Sequence, residues 1–222
     1  MSQTNILLRP GKLHDIYNTL FQAIGPRGWW PGETPLEIAI GAILTQNTSW
    51  KNVDKAITTL KQKNWLSLEK LRDVPEAELA DAIRSSGYFN QKAKKTKIFI
   101  RYIYERYNGS LEKMAERSVE KLREELLAIY GIGPETADSI LLYALGKQTF
   151  VVDAYTRRIF LRHGWMTEKA TYEEIRQFFL THLPRDIQLY NEFHALLVFV
   201  GNRFCRRKPI CDRCPLKKYL TT

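Results

Sequence analysis

The sequence has no apolar run long enough to cross a membrane. Its longest candidates, Ile38 to Leu44 and Ala195 to Val200, fall far short of the roughly 20 residues that a spanning helix needs. The start of the chain carries no secretory signal pattern, so a cytoplasmic protein without a membrane role is expected. Strand-like alternation is almost missing: only Thr149 to Val152 looks extended, too short to imply a sheet. There is no internal repeat and no low-complexity linker. The four histidines, His14, His163, His182 and His194, lack metal-ligand spacing and read as structural or surface residues. Acidic residues are in deficit, 24 Asp and Glu against 34 Lys and Arg. The excess of ten positive charges favours polyanions through long-range attraction and counterion release.

The chain is nevertheless apolar enough, at 44% of 222 residues, to bury a core as one domain or as two small lobes. Its apolar spacing is of the helical kind. Leu13, Ile16, Tyr17, Leu20, Phe21 and Ile24 recur at steps of three and four, as do Val53, Ala56, Ile57 and Leu60. The period returns in Leu122, Leu126 and Ile129, in Ala137, Ile140, Leu141, Ala144 and Leu145, and in Ile175, Phe178 and Phe179. Breakers fall at Pro26 to Pro35, Asn108-Gly109, Gly131 to Pro134, His163-Gly164 and Leu183 to Asp186. The fold class expected is all-α.

Residues Leu126 to Asp138 join two helical runs through a glycine-rich hairpin. Gly131 and Gly133 let the backbone turn sharply and approach another molecule, and Pro134 sits where a first-turn proline loses no hydrogen bond. Exposed amides at the start of the following helix would suit one phosphate; a ligand-free structural hairpin explains the same residues. No strand precedes the turn, and its spacing is wrong for the dinucleotide and P-loop patterns.

Gly131-Ile132-Gly133, followed by Thr136-Ala137 and then Val151-Val152-Asp153, resembles the helix-hairpin-helix and downstream aspartate of the endonuclease III superfamily of DNA glycosylases. Leu44-Thr45-Gln46-Asn47-Thr48 resembles that family's segment at the mouth of the base pocket, and the likeness covers essentially the whole chain. It implies a two-lobed helical fold: residues 1–30 with 150–222, bearing the cysteine loop, and residues 31–149, containing the hairpin. It further implies a monomer acting on double-stranded DNA, with Gly131, Gly133 and Thr136 at the DNA backbone. Lyase-competent members carry a lysine just after the hairpin that forms a Schiff base with the sugar. At the matching position stands Glu135, which cannot form that adduct, so the amine route to strand cleavage should be absent. Asp153 is the implied catalytic carboxylate, able to stabilise positive charge on the sugar and orient the attacking water. A helix-capping role before Ala154-Tyr155-Thr156 is compatible with it.

Three separated segments resemble one subfamily, the bacterial 3-methyladenine DNA glycosylases known as MagIII: Trp29-Trp30-Pro31, Ser86 to Lys94, and Gly131 to Asp138. The implied substrate is 3-methyladenine and other alkylated purines in duplex DNA. The alternatives are a glycosylase for uracil, a mismatched or an oxidised base, and a non-catalytic damage-binding module. Methylation at N3 makes the base a cation that stacks well on an electron-rich ring. Trp50 matches the subfamily's base-stacking aromatic, with Trp29, Trp30 and Pro31 as further base-pocket residues; ordinary core packing is the competing reading for the tryptophans. Gln46 could fill the gap left by a flipped nucleotide, offering donor and acceptor to the orphaned base, or be an uninvolved helix-end residue. The run Lys92, Lys94, Lys95 and Lys97 fits a solvated helix face as well as phosphate binding.

All three cysteines, Cys205, Cys211 and Cys214, lie near the C-terminal end among Arg203, Arg206, Arg207, Lys208 and Arg213. Thiolates so close repel unless protonated, paired or metal-bound, which favours a metal function over scattered core packing. The arrangement resembles the iron-sulfur loop of endonuclease III and implies a [4Fe-4S] cluster. Its first gap is one residue shorter, and Leu220 stands where the fourth cysteine is expected, which leaves the fourth ligand unidentified. MagIII itself lacks the cluster and has a modified lysine in this region. Zinc with three cysteines and a further ligand, or a reduced metal-free loop, are the alternatives.

Overall fold

The computed structural model describes residues 5–220. Compactness separates two units, Met1–Trp30 with Gln148–Thr222, and Pro31–Lys147. Residues 1–4 and 221–222 of the first expected lobe lie outside the described residues. Among the described residues the regular elements are helices, the only β pairing is an isolated bridge between Ile6 and Met166, and no helix is long and apolar enough to cross a membrane.

The second unit runs through α2 (Pro35–Leu44), α3 (Trp50–Gln62), α4 (Leu68–Asp73), α5 (Glu76–Ala82), α6 (Phe89–Tyr107), α7 (Leu111–Ala115), α8 (Val119–Ala128) and α9 (Pro134–Ser139). Helix α9 passes directly into a π turn over Ile140–Ala144. Helix α2 starts where Thr34 Oγ1 accepts the Glu37 amide at 3.1 Å and Pro35 takes the first turn. Its residues Leu36, Ala39, Ile40, Ala42, Ile43 and Leu44 are buried, so it is apolar on nearly every face and forms the middle of this unit's core.

The 19-residue α6 lies beside α2 and presents Ala93, Thr96, Phe99, Ile100, Ile103 and Tyr107 inward at helical spacing. Asn108 and Gly109, both at positive φ, end it. This helix corrects the reading of the lysine run. Lys92 falls on the inward stripe, is only 2% exposed, and donates to the carbonyls of Leu44 at 2.8 Å and Ser86 at 2.7 Å. Burial, with Lys95 nearby, pulls its ammonium down to about 8. Lys97 donates to the carbonyls of Leu71, Arg72 and Val74, terminating α4, and Lys94 lies over the Tyr130 ring at 5.5 Å. These lysines serve backbone carbonyls and a ring within their own unit, because 3.6-residue periodicity turns them to different faces.

The first unit consists of α1 (Lys12–Ile24), α10 (Ala154–Arg162), α11 (Tyr172–His182) and α12 (Ile187–Arg203). Leu13, Ile16 and Leu20 are the buried stripe of α1, and most of α12 is buried. Phe150 stacks on Phe179 with centroids 3.7 Å apart, and Phe193 meets both edge-on. The expected extended segment Thr149 to Val152 makes no strand; it carries Phe150 into this aromatic core and delivers the chain to α10. At Gly201 of α12 an added Cβ would meet the Tyr155 ring at 2.4 Å, so α10 and α12 pack closely there.

Replacing Lys92 with Met keeps the apolar stem but strands two buried carbonyls. We expect Lys92→Met to lose about 2 to 6 kcal/mol, summing two unsatisfied acceptors, and to lower the urea midpoint. An unchanged midpoint would show that the ammonium is not needed there.

Candidate functional site

The hairpin between α8 and α9 belongs to the second unit. Gly131 adopts φ +81, where an added Cβ would also strike the Lys95 side chain at 2.5 Å, so glycine is required by both conformation and space. Gly133 differs from the expectation that it serves the turn. Its φ of −90 and ψ of 177 are open to any residue, and an added Cβ meets nothing within 4 Å. Gly133, Pro134 and Glu135 are exposed, whereas Ile132 is buried beneath the turn, its amide donating to Ile129 O at 3.1 Å. Across the motif, Arg123 of α8 donates to both oxygens of the fully buried Asp138 of α9, at 3.0 and 3.1 Å. This planar two-bond pairing fixes the angle between the helices.

Gln46 follows α2 and is joined to the same hairpin. Its Nε2 donates to the Gly131 carbonyl and to Thr136 Oγ1, each at 3.0 Å, and its Oε1 accepts from Lys95 Nζ. The structure thus brings Gln46, Gly131 and Thr136 together. Thr136 is buried and its side chain is engaged inward by Gln46, so the exposed start of α9 is Gly133 to Glu135. Asn47 turns the chain at φ +53, and Trp50 begins α3, half-buried and packed against the core of this unit. Trp29 and Trp30, at the end of the first unit's opening segment, are half-buried with rings edge-on at 5.5 Å; Pro31 is exposed.

Asp153 is the N-cap of α10 in the first unit. Its Oδ1 accepts the Thr156 amide at 2.7 Å, satisfying a first-turn donor and holding the carboxylate plane. Its Oδ2 lies 3.7 Å from Nε2 of His194, which α12 places in the interior. Burial pushes the His194 ring below the ordinary histidine range, against the smaller opposing pull of Asp153. The ring is therefore neutral at pH 7, and the carboxylate has a polar neighbour without a compensating positive charge. Asp153 is 9% exposed, enclosed but reachable. The reading of His194 as merely structural or surface missed this pairing. A signal existed: with Tyr190 and Leu197, at spacings of four and three, His194 sits on an apolar stripe, and a buried imidazole needs a polar partner. Arg123 had no such signal, since nothing in its local pattern marks Asp138 as its partner.

The three cysteines line a single pocket of the first unit, walled by Val200, Phe204 and Leu220. Arg158 of α10 donates to the Cys205 carbonyl at 2.6 Å, and Arg162 donates to Cys205 Sγ at 3.5 Å and the Arg207 carbonyl at 3.1 Å. Burial pushes the Cys214 thiol up, and the neighbouring Cys205 and Cys211 add to the rise. Among the described residues no three His, Cys, Asp or Glu side chains converge closely enough to hold one metal ion.

Residues 40–185 match the model of the HhH-GPD superfamily base excision DNA repair proteins. A Methanocaldococcus jannaschii protein that carries the name DNA repair glycosylase is 49% identical over 209 residues, covering 93% of this chain and 94% of that one. Endonuclease III of Sulfolobus acidocaldarius is 32% identical over 182 residues, 81% of this chain and 78% of the relative. Among solved structures, the H. pylori 3-methyladenine DNA glycosylase MagIII bound to 1,N6-ethenoadenine superposes with a TM-score of 0.77 at 29% identity, covering 88% of this chain and 98% of that one. A non-covalent endonuclease III–DNA complex has the same fold, with a TM-score of 0.81 at 22% identity over 96% of this chain and 95% of that one. By the family match and these identities, the chain belongs to the HhH-GPD superfamily of base excision DNA glycosylases.

Proposed function

We propose that this protein is a monofunctional DNA glycosylase that releases 3-methyladenine and related alkylated purines from double-stranded DNA. The observation that carries the reading is the Asp153 carboxylate, oriented by the Thr156 amide and set beside a neutral His194. A fixed anion without a counter-cation is suited to stabilising the positive charge that develops on the sugar as the glycosidic bond breaks. N3 alkylation already places positive charge on the purine, so the bonding electrons leave with the base and neutralise it; no protonation of the leaving group is required. Water adds to C1′, oriented by Asp153, and its proton passes to the carboxylate or to solvent.

Glu135, exposed in the first turn of α9, supports hydrolysis rather than Schiff-base chemistry, because it offers no amine. Trp50, half-buried at the start of α3, supplies a ring for stacking on an extruded cationic base, and Trp29, Trp30 and Pro31 are the other residues proposed to contact the base. The Gly131–Thr136 hairpin is the DNA-backbone contact: the main chain at its exposed Gly133 and Glu135 takes phosphate. Gln46 is the residue to enter the gap left by the base, which requires it to exchange its bonds to Gly131, Thr136 and Lys95 for bonds to the orphaned partner. The structural likeness to MagIII, whose structure holds an ethenoadenine, supports an alkylated purine as substrate.

The direct test is product analysis on duplexes carrying alkylated purines, uracil, mismatches or oxidised bases. We expect free 3-methyladenine from methylated DNA, no borohydride-trapped adduct, and a fall of at least about 100-fold in Asp153→Asn with lesion binding kept. Release of a different base would reassign the substrate, and undiminished release by Asp153→Asn would remove the carboxylate from the chemistry.

Gly133 allows a clean separation of folding from binding. Since a Cβ there is neither strained nor crowded, Gly133→Ala should leave the urea midpoint unchanged and weaken binding to damaged and undamaged duplexes by a similar factor. A defect confined to lesion DNA would contradict a backbone contact.

The His194 shift sets a pH dependence. In the unfolded chain the ring takes up a proton near pH 6.5, whereas the buried ring resists it, so folding stability falls as pH drops below about 6.5. The contribution is up to about 1.4 kcal/mol per pH unit, and His194→Gln should flatten the stability profile between pH 5 and 6.5 by that amount. An identical slope in the variant would mean that His194 is protonated in the native protein.

A further inference from the structure

Helix α12 of the first unit buries a second carboxylate, which the chemistry proposed for Asp153 leaves unused. Glu192 is 3% exposed, and its Oε1 accepts the backbone amide of Arg27. Phe199, seven positions on and so on the same face of α12, carries the Arg27 guanidinium at 4.6 Å from its ring centroid. The segment turned by Gly25 and Gly28 at positive φ is thereby strapped to α12 two residues before Trp29. The strap needs an acceptor but no charge, since a glutamine in this place would take the same amide. Among the described residues no cation pairs with Glu192 and its Oε2 accepts no hydrogen bond; the Arg27 side chain is turned to the Phe199 ring instead. Its charge acts on a neighbour: the Tyr17 phenol is pushed up, by burial first and then by Glu192 and Asp186. A buried carboxylate is costly unless paired and hydrogen-bonded, and one amide leaves most of its acceptor capacity unused. The group is suited to a ligand that brings both N–H donors and positive charge.

We infer that Glu192 is a specificity-determining residue: its second oxygen accepts the exocyclic amine of the extruded purine, and its charge selects a cationic alkylated base over a neutral one. This rests on the alkylated-purine reading above. Trp29 follows Arg27 by two residues, at most about 7 Å of chain, so a base held against that indole lies close to the carboxylate that holds the strap. Glu192 and His194, two positions apart, point about 160° apart around the axis of α12. The two carboxylates therefore have separate tasks: Asp153, beside His194, addresses the sugar, and Glu192 addresses the base. An N–H donated to a carboxylate is roughly twice as strong as a neutral hydrogen bond, and positive charge on the ring adds to it. In 1,N6-ethenoadenine the exocyclic nitrogen is closed into a ring, so that base offers Glu192 neither the charge nor the N–H.

The test compares duplexes carrying a cationic lesion, 3-methyladenine or 7-methylguanine, with duplexes carrying neutral 1,N6-ethenoadenine. Release is measured with the full chain, and affinity in an Asp153→Asn background that leaves the base attached. Glu192→Gln keeps the reach and the acceptor for the Arg27 amide and removes only the charge. We expect it to cut the preference for the cationic lesion by at least about tenfold, with ethenoadenine binding kept and the urea midpoint at or above the native value. Phe199→Leu should lower the same preference without touching Glu192, because it removes the ring that holds the Arg27 guanidinium away from the carboxylate. An unchanged preference in both variants overturns the assignment. An equal loss of both lesions in Glu192→Gln also overturns it and leaves Glu192 as a fastener of the strap alone. Failure of the substrate reading looks different: the native protein then releases another base from the lesion panel and has no cationic preference to lose, which removes the role of Glu192 with it.

Discussion

The hydrogen bond from the Thr156 amide to Asp153 Oδ1 determines what chemistry the first unit can offer. An N-cap carboxylate normally serves the helix alone, and here it does serve it, since α10 has a first-turn donor to satisfy. The bond consumes one oxygen and fixes the plane of the other, so the second oxygen has a set direction instead of a free rotor's average. What stands beside that second oxygen then decides whether it has a cationic partner. Had α12 supplied a lysine or arginine, the carboxylate would be a neutralised structural pair. It supplies His194, which is too deeply buried to hold a proton at neutral pH. The cap and the candidate catalytic group are one carboxylate, with Oδ1 serving the helix and Oδ2 left for the other role.

The second unit solves a different problem, that of holding a polar turn rigid at a surface. Its hairpin buries Leu126, Ile129, Ile132 and Ala137 in the core, and buried polar pairing adds to their hold: Arg123 with Asp138 between the two helices, and the Gln46 amide across Gly131 and Thr136. Such networks are worth little net energy when complete and cost much when broken, which makes them devices of geometry more than of stability. Lys92 follows the same logic, closing the open carbonyl end of α2 from inside. The α2 end, the segment that follows it and the hairpin are thereby one connected polar frame.

In the C-terminal loop of the first unit, guanidinium groups take the place of a hydrophobic seal. Arg158 and Arg162 reach from α10 to the carbonyls of Cys205 and Arg207, holding a short, cation-rich segment that could not fold on apolar burial alone. The pocket so formed is lined by three thiols and an imidazole.

Much was legible in the chain itself. Apolar spacing of three and four identifies the buried stripes of α1, α3 and α8, because a helix repeats every 3.6 residues whatever it packs against. The breakers at Asn108-Gly109 and Gly131 to Pro134 mark real ends, since positive φ and first-turn proline are local backbone properties. The sequence by itself also determined the residue types at the matched positions: Asp153, Glu135 and three clustered cysteines. Only the tertiary structure decided how polar groups are shared out. Whether Lys92 faces solvent or two carbonyls, and whether His194 is solvated or set beside a carboxylate, depend on partners 6 to 48 positions away, and whether Gly133 serves a turn or only leaves a surface open depends on the backbone around it. Helical periodicity says which face a side chain occupies; it carries no information about which distant atom that face meets, and that meeting sets charge state and reach.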